Sequence, residues 1–173
     1  MAFHAGRQAR DISSARWGPR QSVAARSGHV EWSVTDPFRV TIRSQVDIAA
    51  ARERGRALAR VIGLTMIEQA LLAGAISELG RNMLRYAETG EIRIHIADNG
   101  RSNGVTIVAQ DEGPGIADPD RAIVDGFSTS GRLGLGLPGV RRLMDQFDLH
   151  SDVGNGTVVT VTKWSSAGRH SAA

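Results

Sequence analysis

The chain has 173 residues, a formal net charge of +3 and no cysteine. The length is typical of a single domain, and the lack of cysteine excludes disulfides and thiolate zinc sites. The histidines are scattered without the close spacing of metal ligands. No apolar run approaches the roughly 20 residues of a membrane span, and no signal-peptide core is present near the N-terminus. We therefore expect a cytoplasmic protein without membrane contact.

The positive charge is concentrated at the N-terminus. Residues 1–30 contain five arginines and one acid, Asp11. Glycine, serine and alanine dominate there, which is typical of a disordered segment. Contact with nucleic acid or with a membrane surface is the alternative, but we do not expect it. The sequence predicts a flexible Arg-rich extension over residues 1–35, a domain over 36–164 and a flexible tail over 165–173.

The first half of the domain shows one strand and two helices. Residues 38–42 alternate as a half-buried strand does. Residues 47–62 form an amphipathic pattern that Gly63 ends. Thr65 and Glu68 make a capping box, which predicts a second helix over residues 66–87, stopped by Thr89-Gly90. Because this helix is apolar on most faces, we expect it to be the central buried one.

The second half predicts two hairpins around a mobile lid. The expected elements are a hairpin of residues 91–97 and 105–109, a short helix over 118–124, a lid over 125–136, a third helix over 137–147, and a hairpin of residues 148–153 and 157–162. His95 lies on the polar face of its strand and is expected to be solvated. Helices segregated from antiparallel strands indicate an α+β fold, a two-layer α/β sandwich. Its mixed, mostly antiparallel sheet is covered on one face by helices.

Glu78 and Asn82 lie four positions apart in the second helix, which places both on one face. A carboxylate and an amide on the buried side of an apolar helix need partners. An Asn oxygen suits Mg²⁺ when phosphates and water complete its coordination. A Glu one turn earlier suits a general base for an attacking hydroxyl. The spacing is common, and a solvent-facing position of both residues is the alternative.

Asp111 follows an apolar strand and precedes Gly113 and Gly115. Glycines allow the backbone to approach a flat ring closely, and the carboxylate suits the exocyclic amine of adenine. The alternative is an ordinary turn from strand to loop.

A second glycine cluster, Gly131, Gly134 and Gly136, leads through Leu137 into the third helix. Bare amides and a helix N-terminus bind phosphate well. The cluster is neither a dinucleotide fingerprint nor a P-loop, because no parallel βαβ unit surrounds it and no Gly-Lys-Ser/Thr follows.

Together these motifs carry a resemblance to a known superfamily. Glu78 and Asn82 match the N box of the GHKL ATP-binding proteins, which include gyrase, Hsp90-type chaperones, histidine kinases and MutL. The segments 111–115 and 131–137 match the two glycine boxes of that superfamily. Gly156-Thr157 matches its final Gly-Thr pair. The resemblance covers roughly residues 36–164 and implies a Bergerat fold that uses ATP with Mg²⁺.

A narrower resemblance is carried by Ile76-Ser77-Glu78-Leu79 and by the segments 125–131 and 136–145. These are similar to the anti-sigma-type serine/threonine kinases, and among them to the RsbT-type switch kinases of bacterial stress signalling. Such kinases phosphorylate a Ser or Thr on a STAS-domain antagonist. After release from it, RsbT-type proteins activate a PP2C-type phosphatase. The resemblance therefore implies an ATP-dependent serine/threonine kinase of a partner-switching pathway.

The resemblance also implies roles for single residues. Asp111 would recognise adenine, with Thr157 supporting that end, Asn82 would hold Mg²⁺, and the glycines of the second cluster would cradle phosphate. Glu78 would be the general base. Arg132 or Arg81 would stabilise charge on the γ-phosphate; a solvated loop arginine and a pair with a surface acid are their respective alternatives.

Other functions stay open at this point. The main alternative is an ATP-binding anti-sigma or partner-binding module that sequesters its partner with little turnover. A histidine kinase is disfavoured because no helical segment with a phosphoacceptor His precedes the domain. A gyrase- or MutL-like ATPase is also disfavoured, because such an ATPase normally has a following transducer domain. A homodimer, and a sigma factor instead of a phosphatase as the output, are left open.

Overall fold

The computed structural model describes residues 37–124 and 136–166. The helices are α1 (Gln45–Val61), α2 (Met66–Tyr86), α3 (Pro119–Ala122) and α4 (Gly136–Leu143). The strands are β1 (Phe38–Ile42), β2 (Gly90–Asp98), β3 (Asn103–Asp111), β4 (Gln146–Ser151) and β5 (Thr157–Trp164). The five strands make one sheet in the order β1-β2-β3-β5-β4.

The sheet and the helices form two layers around one core, as predicted. Every strand pair in the described residues is antiparallel. Ile92, Ile94 and Ile107 are fully buried on the face of the sheet that packs against α1 and α2. Alternation along a strand sends the intervening side chains to the opposite face. The α+β sandwich is therefore confirmed, and the expected mixed sheet is antiparallel throughout the described strands.

The capping box at the start of α2 is confirmed. The Glu68 amide donates to Thr65 Oγ1 at 3.2 Å, and the Thr65 amide donates to Glu68 Oε2 at 2.7 Å. The helix ends close to the predicted position, with Ala87 as its C-cap, but the left-handed residue that follows is Glu88 at φ 63°. Gly90 is instead the first residue of β2.

The first helix begins earlier than predicted. Ser44 is its N-cap and accepts a hydrogen bond from the Asp47 amide at 3.4 Å. At the other end Gly63 has φ 77°, the left-handed conformation expected after a helix. None of the described helices has the length and apolarity to cross a membrane.

The third predicted helix was too long. It ends at Leu143, and Phe147 belongs to β4, where it pairs with Val161 of β5. The Asp145 amide already donates to the Thr162 carbonyl at 3.0 Å, and the Asp145 carboxylate accepts from the Trp164 amide at 2.7 Å. These bonds to β5 draw the chain into the sheet, which periodicity over a short apolar run does not reveal.

The described fold extends past β5. The Ser165 amide donates to the Asn103 carbonyl at 2.9 Å, and the Ser166 amide donates to Glu68 Oε1 at 2.9 Å. Both serines were predicted as part of the flexible tail. The extension over residues 1–35, the lid apart from Gly136, and the rest of the tail lie outside the described residues.

Candidate active site

The site begins on the C-terminal half of α2. Glu78 is buried, with 9% of its surface exposed, and Asn82 is half-buried one turn later. A solvent-facing position of Glu78 is thereby excluded. A buried carboxylate needs donors, and Arg81, on the next turn of the same helix, forms an ion pair with Glu78 Oε1. The sequence leaves Arg81 either near the γ-phosphate or paired with a surface acid, and the acid that it pairs with here is the nearly buried Glu78.

The second oxygen of Glu78 faces the start of α4. The Gly136 amide donates to Glu78 Oε2 at 3.3 Å. Gly136 has φ 58°, a left-handed conformation that glycine adopts without a steric penalty. The next residue, Leu137, packs against the hydrophobic core. The structure therefore joins the N box to the end of the second glycine cluster.

Asp111 is the last residue of β3, next to the C-terminal end of α2. Its Oδ1 accepts a hydrogen bond from the Gly113 amide at 2.9 Å. A Cβ on Gly113 would lie 2.7 Å from the Cβ of Ala87, the C-cap of α2. A larger residue would thus push this turn away from the helix. Glycine at position 113 is what allows the turn of Asp111 to close against α2.

Two further glycines let main chains meet at this end of the site. Gly115 has φ 71°, and a Cβ there would overlap the Asp152 carbonyl oxygen. Gly156 has φ 80°, and a Cβ there would overlap the Asp111 carbonyl oxygen. Both positions therefore require glycine for conformation and for space. They bring the turn between β4 and β5 against the loop that follows Asp111.

Thr157 lies beside Asp111, because the two residues pair across β3 and β5. Its hydroxyl is 2.9 Å from the Ser151 hydroxyl, and Ser151 Oγ also accepts from the Ile116 amide at 2.8 Å. Ser151 further donates to the Gly156 carbonyl at 2.8 Å. Ser151 thus connects three parts of the loop cluster. No sequence motif marks Ser151, because its bonds to Ile116, Gly156 and Thr157 form only when the loops fold together.

The helix α2 sets the distance between the two ends of the site. Glu78 marks one end, and Ala87, in contact with Gly113, marks the other. At about 1.5 Å of rise per residue these nine positions span roughly 13 Å. The end of the site at Glu78 is therefore separated from the end at Asp111 by most of the second half of α2.

The structure brings together most, but not all, of the predicted residues. Gly131, Arg132 and Gly134 lie outside the described residues. In the described parts of the chain no three His, Asp or Glu side chains cluster as a metal site. Asn82 fits a Mg²⁺ ion that is held mainly by phosphates, since it offers one oxygen ligand on the face of Glu78.

His95 is less solvated than predicted. It lies in β2 opposite Thr106, on the sheet face away from the helices, and its Nδ1 is buried without a hydrogen-bond partner in the described residues. Burial lowers the pKa of His95 below the ordinary value of 6.5. It takes no part in the site described above.

Comparison with known proteins places this geometry in a family. Residues 67–166 match the family described as histidine kinase-, DNA gyrase B- and HSP90-like ATPases. The chain is 48% identical over 132 residues to the serine/threonine-protein kinase RsbT of Bacillus subtilis, covering 76% of this chain and 98% of that protein.

Two further comparisons agree with this placement. An anti-sigma F factor of Caldanaerobacter subterraneus is 32% identical over 127 residues, covering 69% of this chain and 86% of that protein. The fold is similar to the crystal structure of the RsbU and RsbW domains of Rv1364c from Mycobacterium tuberculosis, with a TM-score of 0.52 and 19% identity. That match covers 75% of this chain and 32% of the other.

The predicted superfamily and its narrower branch are both confirmed by these matches, and the fold of the described residues agrees with them. The chain therefore belongs to the histidine kinase-, DNA gyrase B- and HSP90-like ATPase family, in the branch of serine/threonine kinases and anti-sigma factors that includes RsbT.

Proposed function

We propose that the chain is an ATP-dependent serine/threonine protein kinase that phosphorylates a STAS-domain antagonist in a bacterial partner-switching pathway. The observation that carries this proposal is the placement of Glu78. It is a buried carboxylate on α2, and its Oε2 faces the first amide of α4. The 48% identity to a serine/threonine-protein kinase supports the same activity.

Asp111 recognises the adenine base in this proposal. Its Oδ1 already accepts the Gly113 amide, which leaves the other carboxylate oxygen to accept the exocyclic amine. Gly113 and Gly115 hold the loop that follows Asp111 in place, because a Cβ at either position would collide with Ala87 or with Asp152. Thr157, next to Asp111 across the sheet, supports the same end of the nucleotide.

Glu78 acts as the general base at the other end. The acceptor hydroxyl gives its proton to Glu78 Oε2 while its oxygen bonds to the γ-phosphorus. The bond from the γ-phosphorus to the β–γ bridging oxygen breaks, and ADP leaves with that electron pair. Glu78 then returns the proton to solvent. Most of the rate in such reactions comes from positioning and charge neutralisation.

The remaining assignments concern charge on the phosphates. Mg²⁺ bound through Asn82 would neutralise part of it. Gly136 and the amide of Leu137, at the start of α4, cradle the phosphates together with Gly131 and Gly134. Arg132 stabilises charge that develops on the γ-phosphate. The kinase unit is the predicted domain over residues 36–164 together with Ser165 and Ser166, which bond to it, and the Arg-rich extension lies outside it.

The partners follow from the same proposal. The substrate is a STAS-domain protein of the cytoplasm, and the kinase released from it activates a PP2C-type phosphatase.

The anti-sigma F factor relatives favour a second candidate, in which the chain binds ATP and sequesters a partner with little turnover.

Transfer of label from γ-³²P-ATP with Mg²⁺ to a STAS protein encoded beside this chain tests the proposal. We expect one Ser or Thr of the STAS protein to acquire label, as mapped by mass spectrometry. A STAS protein with that residue changed to Ala is the control and stays unlabelled. A nucleotide-dependent complex without any transfer would instead support the sequestering module.

A further inference from the structure

Arg81 and Glu78 form a contact that the motif does not specify. Arg81 Nη1 is paired with Glu78 Oε1. The two side chains differ in exposure, since 51% of the Arg81 side chain and 11% of the Glu78 side chain are accessible. An ion pair between two exposed residues contributes little. Here the carboxylate is nearly buried and needs a compensating partner, so the contact matters more.

The two oxygens of Glu78 are held unequally. Oε1 has the charged guanidinium of Arg81 as its donor, and such charge-assisted bonds are the stronger kind. Within the described residues Oε2 accepts only from the Gly136 amide, at 3.3 Å, which is long for an N–H···O bond. Oε2 is therefore the oxygen that exchanges its partner more easily. It is also the oxygen on the side of the phosphate-binding end.

We propose that Arg81 is a positioning residue that binds Glu78 Oε1 and thereby keeps Oε2 directed at the acceptor hydroxyl. The inference rests on the proposed kinase function. Arg81 acts through Glu78 in this account and does not contact the γ-phosphate. Without it the carboxylate rotates about its last torsion, which is a broad one, and Oε2 loses its fixed direction.

Arg81→Met tests this role, because it keeps much of the apolar stem and removes the donors. We expect kcat for phosphoryl transfer to fall about 10- to 100-fold, since misplacing a catalytic group has effects of that size. The KM for ATP and the affinities for ATP and ADP stay within about twofold of wild type, the change expected when no binding contact is lost. Arg81→Lys restores part of kcat.

A double-mutant cycle distinguishes positioning of Glu78 from a merely structural role of Arg81, because only positioning makes the effect on kcat depend on Glu78. In a Glu78→Gln background, Arg81→Met is expected to change kcat by less than about twofold, because residues that act as one unit are not additive. Arg85→Met is the matched control: Arg85 is exposed on the last turn of α2, where it stacks 5.3 Å from the Tyr86 ring. Circular dichroism and Tm show whether each variant is folded.

Three results would overturn the inference. They are wild-type kcat in folded Arg81→Met, an undiminished loss in the Glu78→Gln background, and weaker binding of ATP but not ADP, which would place Arg81 on the γ-phosphate. If wild-type protein transfers no phosphate to any STAS protein, the proposed function fails instead. The two failures are thus distinguishable.

Discussion

At the scale of single residues, the close approach between Gly156 and the Asp111 carbonyl sets the geometry of the base end. In Gly156→Ala the new Cβ would overlap the Asp111 carbonyl oxygen, and the alanine would have to adopt a left-handed conformation. We expect it to lower the free energy of unfolding by about 3 kcal/mol and to weaken ATP binding. Urea denaturation and calorimetric titration measure the two effects.

Gly154→Ala is the matched control for that substitution. Gly154 has a similar φ of 82°, but a Cβ there meets nothing within 4 Å. Only the conformational penalty of about 1 kcal/mol remains, and ATP affinity is expected to stay at its wild-type value. Equal losses of stability in the two variants would mean that the contact with Asp111 is unimportant.

Asp111→Asn tests the predicted recognition of adenine. The amide oxygen of Asn still accepts from the Gly113 amide, so the turn is kept, but the negative charge is lost. Hydrogen bonds to charged groups contribute roughly 1.5–3 kcal/mol, so we expect ATP and ADP to bind about 10- to 100-fold more weakly. Isothermal titration with both nucleotides measures this.

The two nucleotides are expected to lose affinity equally, because the adenine is common to both. Glu112→Gln, at the exposed neighbouring position, is the control and keeps wild-type affinity. Unchanged binding by Asp111→Asn would remove Asp111 from the site.

The sequence predicts some of these residues but not others. Asp111 and the glycines after it have a recognisable spacing, which predicts that they belong to a nucleotide site. Ser151 was missed, because its role comes from bonds to Ile116, Gly156 and Thr157 that only the folded loops bring together. The pairing of Arg81 with Glu78 was missed for a similar reason, since three-residue spacing permits the contact without requiring it.

At the scale of elements, the start of α2 is tied to the end of β5 through Glu68. Burial alone raises the pKa of Glu68, but hydrogen bonds from Thr65 and Ser166 outweigh it, and the pKa is lowered from its ordinary value of 4.5. A carboxyl with a depressed folded pKa stabilises the fold fully above its unfolded value. That stability is lost as the pH falls through the folded value.

Glu68→Gln is therefore expected to lower the free energy of unfolding by about 1–2 kcal/mol at pH 7. The difference from wild type should shrink below pH 4.5, because the wild-type carboxyl becomes protonated there. Urea denaturation over a pH series measures it. Glu53→Gln, on the exposed face of α1, is the control. A difference that does not change with pH would show that the charge of Glu68 is not involved.

Helix and strand boundaries are predictable from the sequence where a local motif marks them. The capping box of Thr65 and Glu68 marked the start of α2 to the residue. The apolar run through Leu143 and Phe147 gave no sign of the change from helix to strand. That change depends on the pairing of β4 with β5 and on Asp145, whose carboxylate bonds to Lys163 and Trp164 at the end of β5.

At the scale of the whole molecule, the sheet has two unlike faces, and His95 lies on the one away from the helices. Its pKa is lowered by burial, so the unfolded chain takes up a proton at a higher pH than the folded one. The free energy of unfolding should therefore decrease as the pH falls below 6.5. His95→Gln removes this titration.

We expect the stability of His95→Gln to depend less on pH between about 6.5 and 5 than that of wild type. Chemical denaturation at several pH values measures both slopes. Identical slopes in the two proteins would mean that His95 protonates equally in the folded and unfolded chains.

The architecture as a whole followed from the order of the predicted elements, because helices that alternate with hairpins pack on one face of an antiparallel sheet. The order of the elements does not predict that both ends of the site lie against α2. It depends on the contacts of Gly113 with Ala87 and of Gly136 with Glu78, which bring distant parts of the chain together.

In the proposed mechanism α2 carries the base for phosphoryl transfer at Glu78. Its most direct test compares wild type with Glu78→Gln in ATP affinity and in transfer from γ-³²P-ATP to the STAS protein. We predict ATP affinity within about threefold of wild type and transfer reduced at least about 100-fold, the size expected for a general base. Transfer by a folded Glu78→Gln variant at the wild-type rate would contradict the claim.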